Sequence, residues 1–321
     1  MPRKNSDATP IRALTLRPYC DQEMAVNLPG SVIPQQKEEF MANMPFRASV
    51  ILAATCAALP LAATVPAHAD AGVLHRSCQQ VRQNFPSAPD GTYLLSDGAK
   101  LFTVYCADMT TIPKEYVTLE RTGSSENYSQ YTAGGASPGT NVRTRFTRVR
   151  LDPATFTVDI GDLKYASSTG SLGHAGSETV TSMPYAVAMS CTGTPAGEGG
   201  IDLRGTAVKV DNAFATGGAG ASGTATVSPD AQAVTLRGGG FCGWIMPTPV
   251  RYNPFNPSPG MPNLKLDCTN QIRSERQICL RLTPASPRIQ VTREGSHRLV
   301  HLRPGGRTTV LGLDGRVRSL R

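Results

Sequence analysis

Aromatic residues are scarce in this chain. They make up 6% of it, with a single Trp, so a buried core has to be built largely from aliphatic side chains. No Cys-x-x-Cys pair occurs, which leaves a zinc ribbon and a thioredoxin-type site without support. No His-Glu-x-x-His occurs either, so the helix-borne zinc site of metallopeptidases is not written here. A Gly-x-Ser-x-Gly nucleophile elbow is not expected. The carboxylates are scattered singly, and Asp159 and Asp162 merely bracket Gly161. Apart from one segment near the N-terminus, no run approaches the ~20 apolar residues that a spanning helix needs, and no transmembrane segment is expected.

Turn formers are abundant instead. The 31 Gly and 25 Pro in 321 residues favour many short strands over long helices. The net charge of +8 is not spread evenly. Residues 1–268 hold 21 basic and 21 acidic side chains, whereas 269–321 hold 11 Arg, no Lys and 3 acids. The body is therefore no polyanion binder by net charge, and no nucleic-acid partner is expected. The Arg-rich tail, 269–321, is expected as a separate appendage. It reads either as a binder of anionic cell-wall polymer or as a stretch whose Arg bias carries no function.

The segment "MPFRASVILAATCAALPLAATVPAHAD" has the layout of a secretory signal peptide over 44–69. Arg47 supplies the positive start, Ala48 to Ala63 the apolar stretch, and Ala67-His68-Ala69 a small-x-small site for cleavage after Ala69. Translation is expected to begin at Met44 or Met41, with 1–43 an upstream extension; a long n-region is the other reading. The mature chain keeps Cys78, Cys106, Cys191, Cys242, Cys268 and Cys279. An even number in an exported chain points to disulfides, although spacing leaves their pairing open. The expected location is secreted, in the extracellular space.

Ser77 predicts a cap for a short helix, "SCQQVRQNF", with Gln80 placed as in a capping box and Cys78, Val81 and Phe85 on one face. Strand patterns dominate from there on. "GTYLL" is one strand, with Ser96-Asp97-Gly98 as its turn. Phe102, Val104 and Cys106 share one face of the next, and Leu101, Thr103 and Tyr105 the other. "FTRVRLDPATFTVDI" reads as a hairpin turning at Asp152-Pro153, with Phe156, Val158 and Ile160 facing one way. The expected fold is mainly β: an antiparallel, disulfide-stapled domain with one short N-terminal helix, ending near Cys268.

Several of these pieces, in this order, resemble the GON domain, a C-terminal module of secreted zinc metalloproteases of the disintegrin-and-thrombospondin-motif type that also occurs alone in bacterial exported proteins. They are "SC" at 77–78, "DGTYLL" at 90–95, "YCADM" at 105–109, "PKEYVTL" at 113–119, "ENYS" at 126–129, "FTRVRLD" at 146–152 and "GFCGW" at 240–244. The resemblance covers Ser77 to Cys268. The stretch 77–109 is also similar to the opening of fibrinogen-like domains, and that likeness implies a Cys78–Cys106 bridge. Beyond that pair the connectivity stays open: Cys191–Cys242 is expected from position, and Cys268 and Cys279 are left over. Trp244-Ile245 stands where animal members are richer in cysteine, so their extra bridges are not implied.

The family's company implies zinc and a metalloendopeptidase or an accessory to one, but the residues lend that little. His297 and His301 have i,i+4 spacing in "HRLVH", yet Arg298 occupies the base position and Pro304-Gly305-Gly306 stops any helix. They read as two histidines on a β arm or in a tail. His174 reads as a lone loop histidine and His75 lies close to the mature N-terminus. Gly238-Gly239-Gly240 has no helix after it and reads as a bend, not a phosphate cradle. For binding, Arg143, Arg145, Arg148 and Arg150 form a basic stripe or a solvated strand edge, with one pair on each face. Tyr116 and Tyr128 suit sugar or protein recognition if exposed, and sheet packing if not. Asn127-Tyr128-Ser129 is a glycosylation sequon. The expected function is a non-catalytic exported module that binds an extracellular protein, a glycan or a cell-wall polymer, with no cofactor.

Overall fold

The computed structural model describes residues 74–320 except 175–177, 219, 251–253, 255–262, 284–289, 295–296, 303–306 and 313. The expected upstream extension, signal segment and cleavage after Ala69 lie outside the described residues. The chain opens with a helix, α1 (Cys78–Asn84), followed by β1 (Gly91–Ser96), β2 (Lys100–Ala107), β3 (Lys114–Thr118) and β4 (Tyr128–Thr132). Next come β5 (Val142–Phe146), β6 (Arg148–Asp152), β7 (Thr157–Asp159), β8 (Ala166–Thr169), β9 (Leu172–His174) and β10 (Glu178–Val180). They are followed by β11 (Ala188–Ser190), β12 (Gly197–Asp202), β13 (Val208–Val210), β14 (Phe214–Gly217), β15 (Ser222–Val227) and β16 (Ala233–Gly239). β17 (Gly243–Pro247), β18 (Asn263–Cys268), β19 (Gln271–Ser274) and β20 (Gln277–Arg281) precede β21 (Gln290–Glu294), β22 (His297–Leu302), β23 (Arg307–Gly312) and β24 (Val317–Leu320).

Two nine-stranded sheets share one core. The first runs β13-β18-β7-β6-β3-β2-β20-β19, with β1 also on β2. The second runs β14-β17-β11-β4-β12-β16-β15, with β5 linking β4 to β8. Only Thr147 separates β5 in the second sheet from β6 in the first, so the chain changes sheet within one residue. That exposed corner is why the expected arm starting at Phe146 is cut short. β6 and β7 form the expected hairpin, and Val149, Leu151, Phe156, Val158 and Ile160 are all buried.

The helix forms as its caps dictate. Ser77 Oγ accepts from Gln80 N at 3.1 Å, while Gln80 Oε1 reaches back to Arg76 N at 2.6 Å, one residue beyond the usual box. The buried Glu115 carboxylate accepts from Cys78 N at 2.7 Å, tying the helix start to β3. Burial raises the Glu115 pKa, and the Cys78 N–H works against that rise.

Disulfides join Cys78 to Cys106, Cys191 to Cys242 and Cys268 to Cys279. The first pins α1 on β2, the second crosses from β11 to the turn before β17, and the third joins β18 to β20.

Residues beyond Cys268 are not an appendage. β20 pairs with β2 through Lys100–Arg281, Leu101–Leu280 and Phe102–Cys279. β21 to β24 form a four-stranded meander that meets β1, where Tyr93 bridges Arg316 and Leu94 N donates to Gly315 O. Leu94, Leu101, Ile278, Val300 and Leu311 form a second, smaller buried cluster there. β1 and β2 are therefore covered on both faces, and burying each such side chain contributes about 2 kcal/mol. The local charge excess is partly answered by the body: Arg281 makes a two-point bond with Asp267 at 2.9 and 2.6 Å, and Arg273 donates to Gln232 Oε1 at 2.8 Å.

Candidate functional site

A groove opens where β2 changes partners. The edge of β2 pairs with β20 over Lys100–Phe102 and with β3 over Tyr105–Ala107. Between those stretches β20 and β3 diverge, and a cavity of about 320 Å³ lies between them, within the range of small-ligand pockets. Thr103 bridges the gap, its Oγ1 donating to Arg276 O at 2.8 Å and accepting from Ile278 N at 2.9 Å.

One wall carries the Tyr105 ring and a cation, with Tyr165 and Tyr116 packed behind them outside the groove lining. The Arg148 guanidinium sits 3.9 Å from the Tyr105 ring centre and 4.7 Å from that of Tyr165, and Arg148 Nε donates to Thr118 Oγ1 at 3.2 Å. Tyr165 packs edge-on to Tyr116 at 4.8 Å. Burial first, then the neighbouring Asp162 charge, pushes the Tyr116 phenol far up, and burial likewise raises Tyr165. On the far side Gln277 Nε2 donates to Glu120 Oε1 at 2.7 Å and Thr118 O at 3.2 Å, with Arg276 exposed at the rim. A pocket with a carboxylate, an amide, hydroxyls, a guanidinium and an aromatic platform can hold a polyhydroxylated ligand in one orientation.

The structure redistributes the sequence-based candidates. The four arginines do not form a stripe, because the pairs lie on strands of different sheets. Arg143 covers the Tyr128 ring at 3.6 Å and bonds Gln130 Oε1 at 3.1 Å. Arg145 is exposed, Arg148 enters the groove, and Arg150 pairs with Asp159 at 3.2 Å. Tyr116 is fully buried, with its OH on Asp162 Oδ2 at 3.1 Å, and Tyr128 is 9% exposed; both pack the sheets. Asn127 is buried as well. Its Nδ2 donates to Arg121 O and Asp202 O, and its Oδ1 accepts from Asp202 N and Tyr185 OH, so the folded sequon presents no amide to a glycosyltransferase. His75 is buried, its ring edge-on to Phe85 at 5.7 Å.

His297 and His301 stand on β22, an extended strand. There, i and i+4 lie about 13 Å apart, so the pair cannot chelate as it would on a helix. His174, at the end of β9, is buried, not a surface loop residue. Among the described residues it joins Cys191 and Cys242 in a group of metal-ligating side chains whose donor atoms lie within 4.8 Å of one another. Tyr131 OH lies beside this group, 2.9 Å from His174 Nδ1, 2.8 Å from Cys191 Sγ, and against Ser137 Oγ. With Cys191 and Cys242 joined, both sulfurs are spent on each other.

Ser137 brings a further correction. Gly135-Ala136-Ser137-Pro138-Gly139 does have the Gly-x-Ser-x-Gly spacing that was not expected. It lies in the β4–β5 loop with no helix after it, and Ser137 is fully buried, so it forms no nucleophile elbow. Tyr105, Glu120, Arg276 and Gln277 were also missed; the alternation of β2 placed Tyr105 on the face opposite Phe102, Val104 and Cys106, but nothing local linked it to residues more than 150 positions on.

The two halves of the sequence's resemblance now have a fold around them, and the family comparison decides the matter: the GON domain family matches residues 75–136 and 134–252. The chain belongs to the GON domain family. Its GON region includes Tyr105, Glu120 and Arg148, while the β19–β20 side of the groove lies beyond the matched residues. A similar curated protein is the human "A disintegrin and metalloproteinase with thrombospondin motifs 20", 25% identical over 200 residues. That match takes in 53% of this GON protein and 10% of the relative, so the chain spans about a tenth of the relative's length. No solved structure matches the chain.

Proposed function

We propose that this GON protein is a non-catalytic, exported binding module that holds a glycan in the groove between β3 and β20. The carrying observation is the groove's lining. The Arg148 guanidinium, lying over the Tyr105 ring, offers a flat face for a sugar ring, and Glu120, Gln277, Thr103 and Thr118 offer hydrogen-bond partners for its hydroxyls. Arg276 at the rim suits an acidic substituent on the saccharide. Three disulfides and the signal-like segment before Asp70 support action outside the cell. The extended placement of His297 and His301 gives the peptidase reading no support, and the binding role needs no cofactor.

A glycan array probed with the mature chain tests the reading. A saccharide hit is expected whose affinity falls at least tenfold in Arg148→Ala and in Tyr105→Ala, while Arg145→Ala on the second sheet leaves it unchanged. Absence of any saccharide hit, or a hit indifferent to both groove substitutions, would overturn it.

A further inference from the structure

The second bridge differs in kind from the other two. Among the described residues, only Cys191–Cys242 gathers a third metal-ligating side chain. A disulfide by itself needs no buried imidazole beside it. Here His174 and Tyr131 are both buried; the Tyr131 hydroxyl reaches Cys191 Sγ at 2.8 Å and His174 Nδ1 at 2.9 Å, and a ring nitrogen of His174 lies within 4.8 Å of both sulfurs. The four side chains come from β9, the end of β11, the turn before β17, and β4, so the sheet framework, not one flexible loop, fixes their approach.

We propose that the reduced chain binds one Zn²⁺ through His174, Cys191 and Cys242, with the oxygen of Tyr131 beside the fourth position. One nitrogen and two sulfurs supply three of the four positions of a tetrahedral zinc, the pattern of a site that keeps its fourth position open, here beside the Tyr131 oxygen. Ser137, in contact with the Tyr131 hydroxyl, orients that oxygen from behind. Reduction by a phosphine in water consumes two electrons and two protons, converts the S–S bond to two thiols and leaves the phosphine oxide. Zinc then displaces both thiol protons and binds the thiolates. The disulfide and the metal are thus alternative closures of the same site, and the oxidised chain binds no zinc there.

The test uses the full chain, oxidised and phosphine-reduced, titrated anaerobically with Co²⁺ as a spectroscopic stand-in for Zn²⁺. The reduced chain should take up one equivalent, with a thiolate-to-cobalt charge-transfer band and tetrahedral ligand-field bands that Zn²⁺ bleaches. The oxidised chain should show neither. Cys191→Ser should abolish the charge-transfer signal of this site, and His174→Ala should weaken binding at least about tenfold. A reduced chain without a thiolate band overturns the proposal, as does a band that both substitutions leave unchanged. Should reduction unfold the chain, circular dichroism decides: return of the β signal with one equivalent of Zn²⁺ supports the site, and no return overturns it.

Discussion

The two large sheets are held by different means. In the first, side chains alternate and the inward ones are apolar: Tyr93 and Leu95 on β1, Phe102, Val104 and Cys106 on β2, Val149 and Leu151 on β6. In the second, the central strand β4 is buried at every position and three of its five residues are Ser129, Gln130 and Thr132. Its neighbours are tied in by side chains. Ser129 Oγ accepts from Val187 N at 3.2 Å, Thr144 Oγ1 from Met183 N at 2.7 Å, and Gln232 Nε2 donates to the carbonyls of Leu203, Thr206 and Val208. Area burial holds the first sheet. The second adds a polar network in which each member is needed because the others are buried.

Removing one hub of that network should have the largest effect on stability. Asn127→Ala deletes four hydrogen bonds, three of them buried, and strands their partners, at an expected cost of about 4 kcal/mol, read as a lower urea midpoint with unchanged slope. A loss under 1 kcal/mol would mean that the second sheet, too, rests on apolar contact. In the first sheet the corresponding break is Cys78→Ser, which frees the helix from β2 and should cost ~2–5 kcal/mol. An unchanged melting temperature would show that apolar packing holds α1 without the bridge.

The smallest effect concerns the outer rim of the first sheet. Burial works against the charged form of Asp267, but the Arg281 bonds, the Cys268 N–H and the Lys209 charge outweigh it and hold the carboxyl below its ordinary value. A depressed native pKa gives stability that is present above the unfolded value of about 3.9 and lost as pH falls through the native one. Unfolding titrations should therefore find wild type more stable than Asp267→Asn near neutral pH, with the gap closing below about pH 4. A gap that stays constant down to acid pH would deny this pair a linked proton.

Much of the first sheet was legible. The cap at Ser77, the alternation of β1 and β2 and the hairpin at Asp152-Pro153 are local patterns, and local patterns survive folding when they agree with the core. The second sheet was not legible as a polar interior, because Ser, Gln and Thr on β4 look like surface residues until the partner strands arrive. The same blindness hid the roles of Asn127 and Tyr131. It also separated the last fifty residues from the body, since their Arg content reads as solvent exposure while Ile278, Val300 and Leu311 carry the burial.

By itself, then, the sequence determined the β class, the short capped helix, the family to which the chain belongs and the absence of a helix-borne zinc motif. Each of these depends on residue identity or on periods of a few positions. Tertiary structure alone decided that β20 takes half the edge of β2, that a groove opens where β3 takes over, and that His174 meets the second disulfide. Those are contacts between residues far apart in the chain, set by strand pairing that no local period encodes.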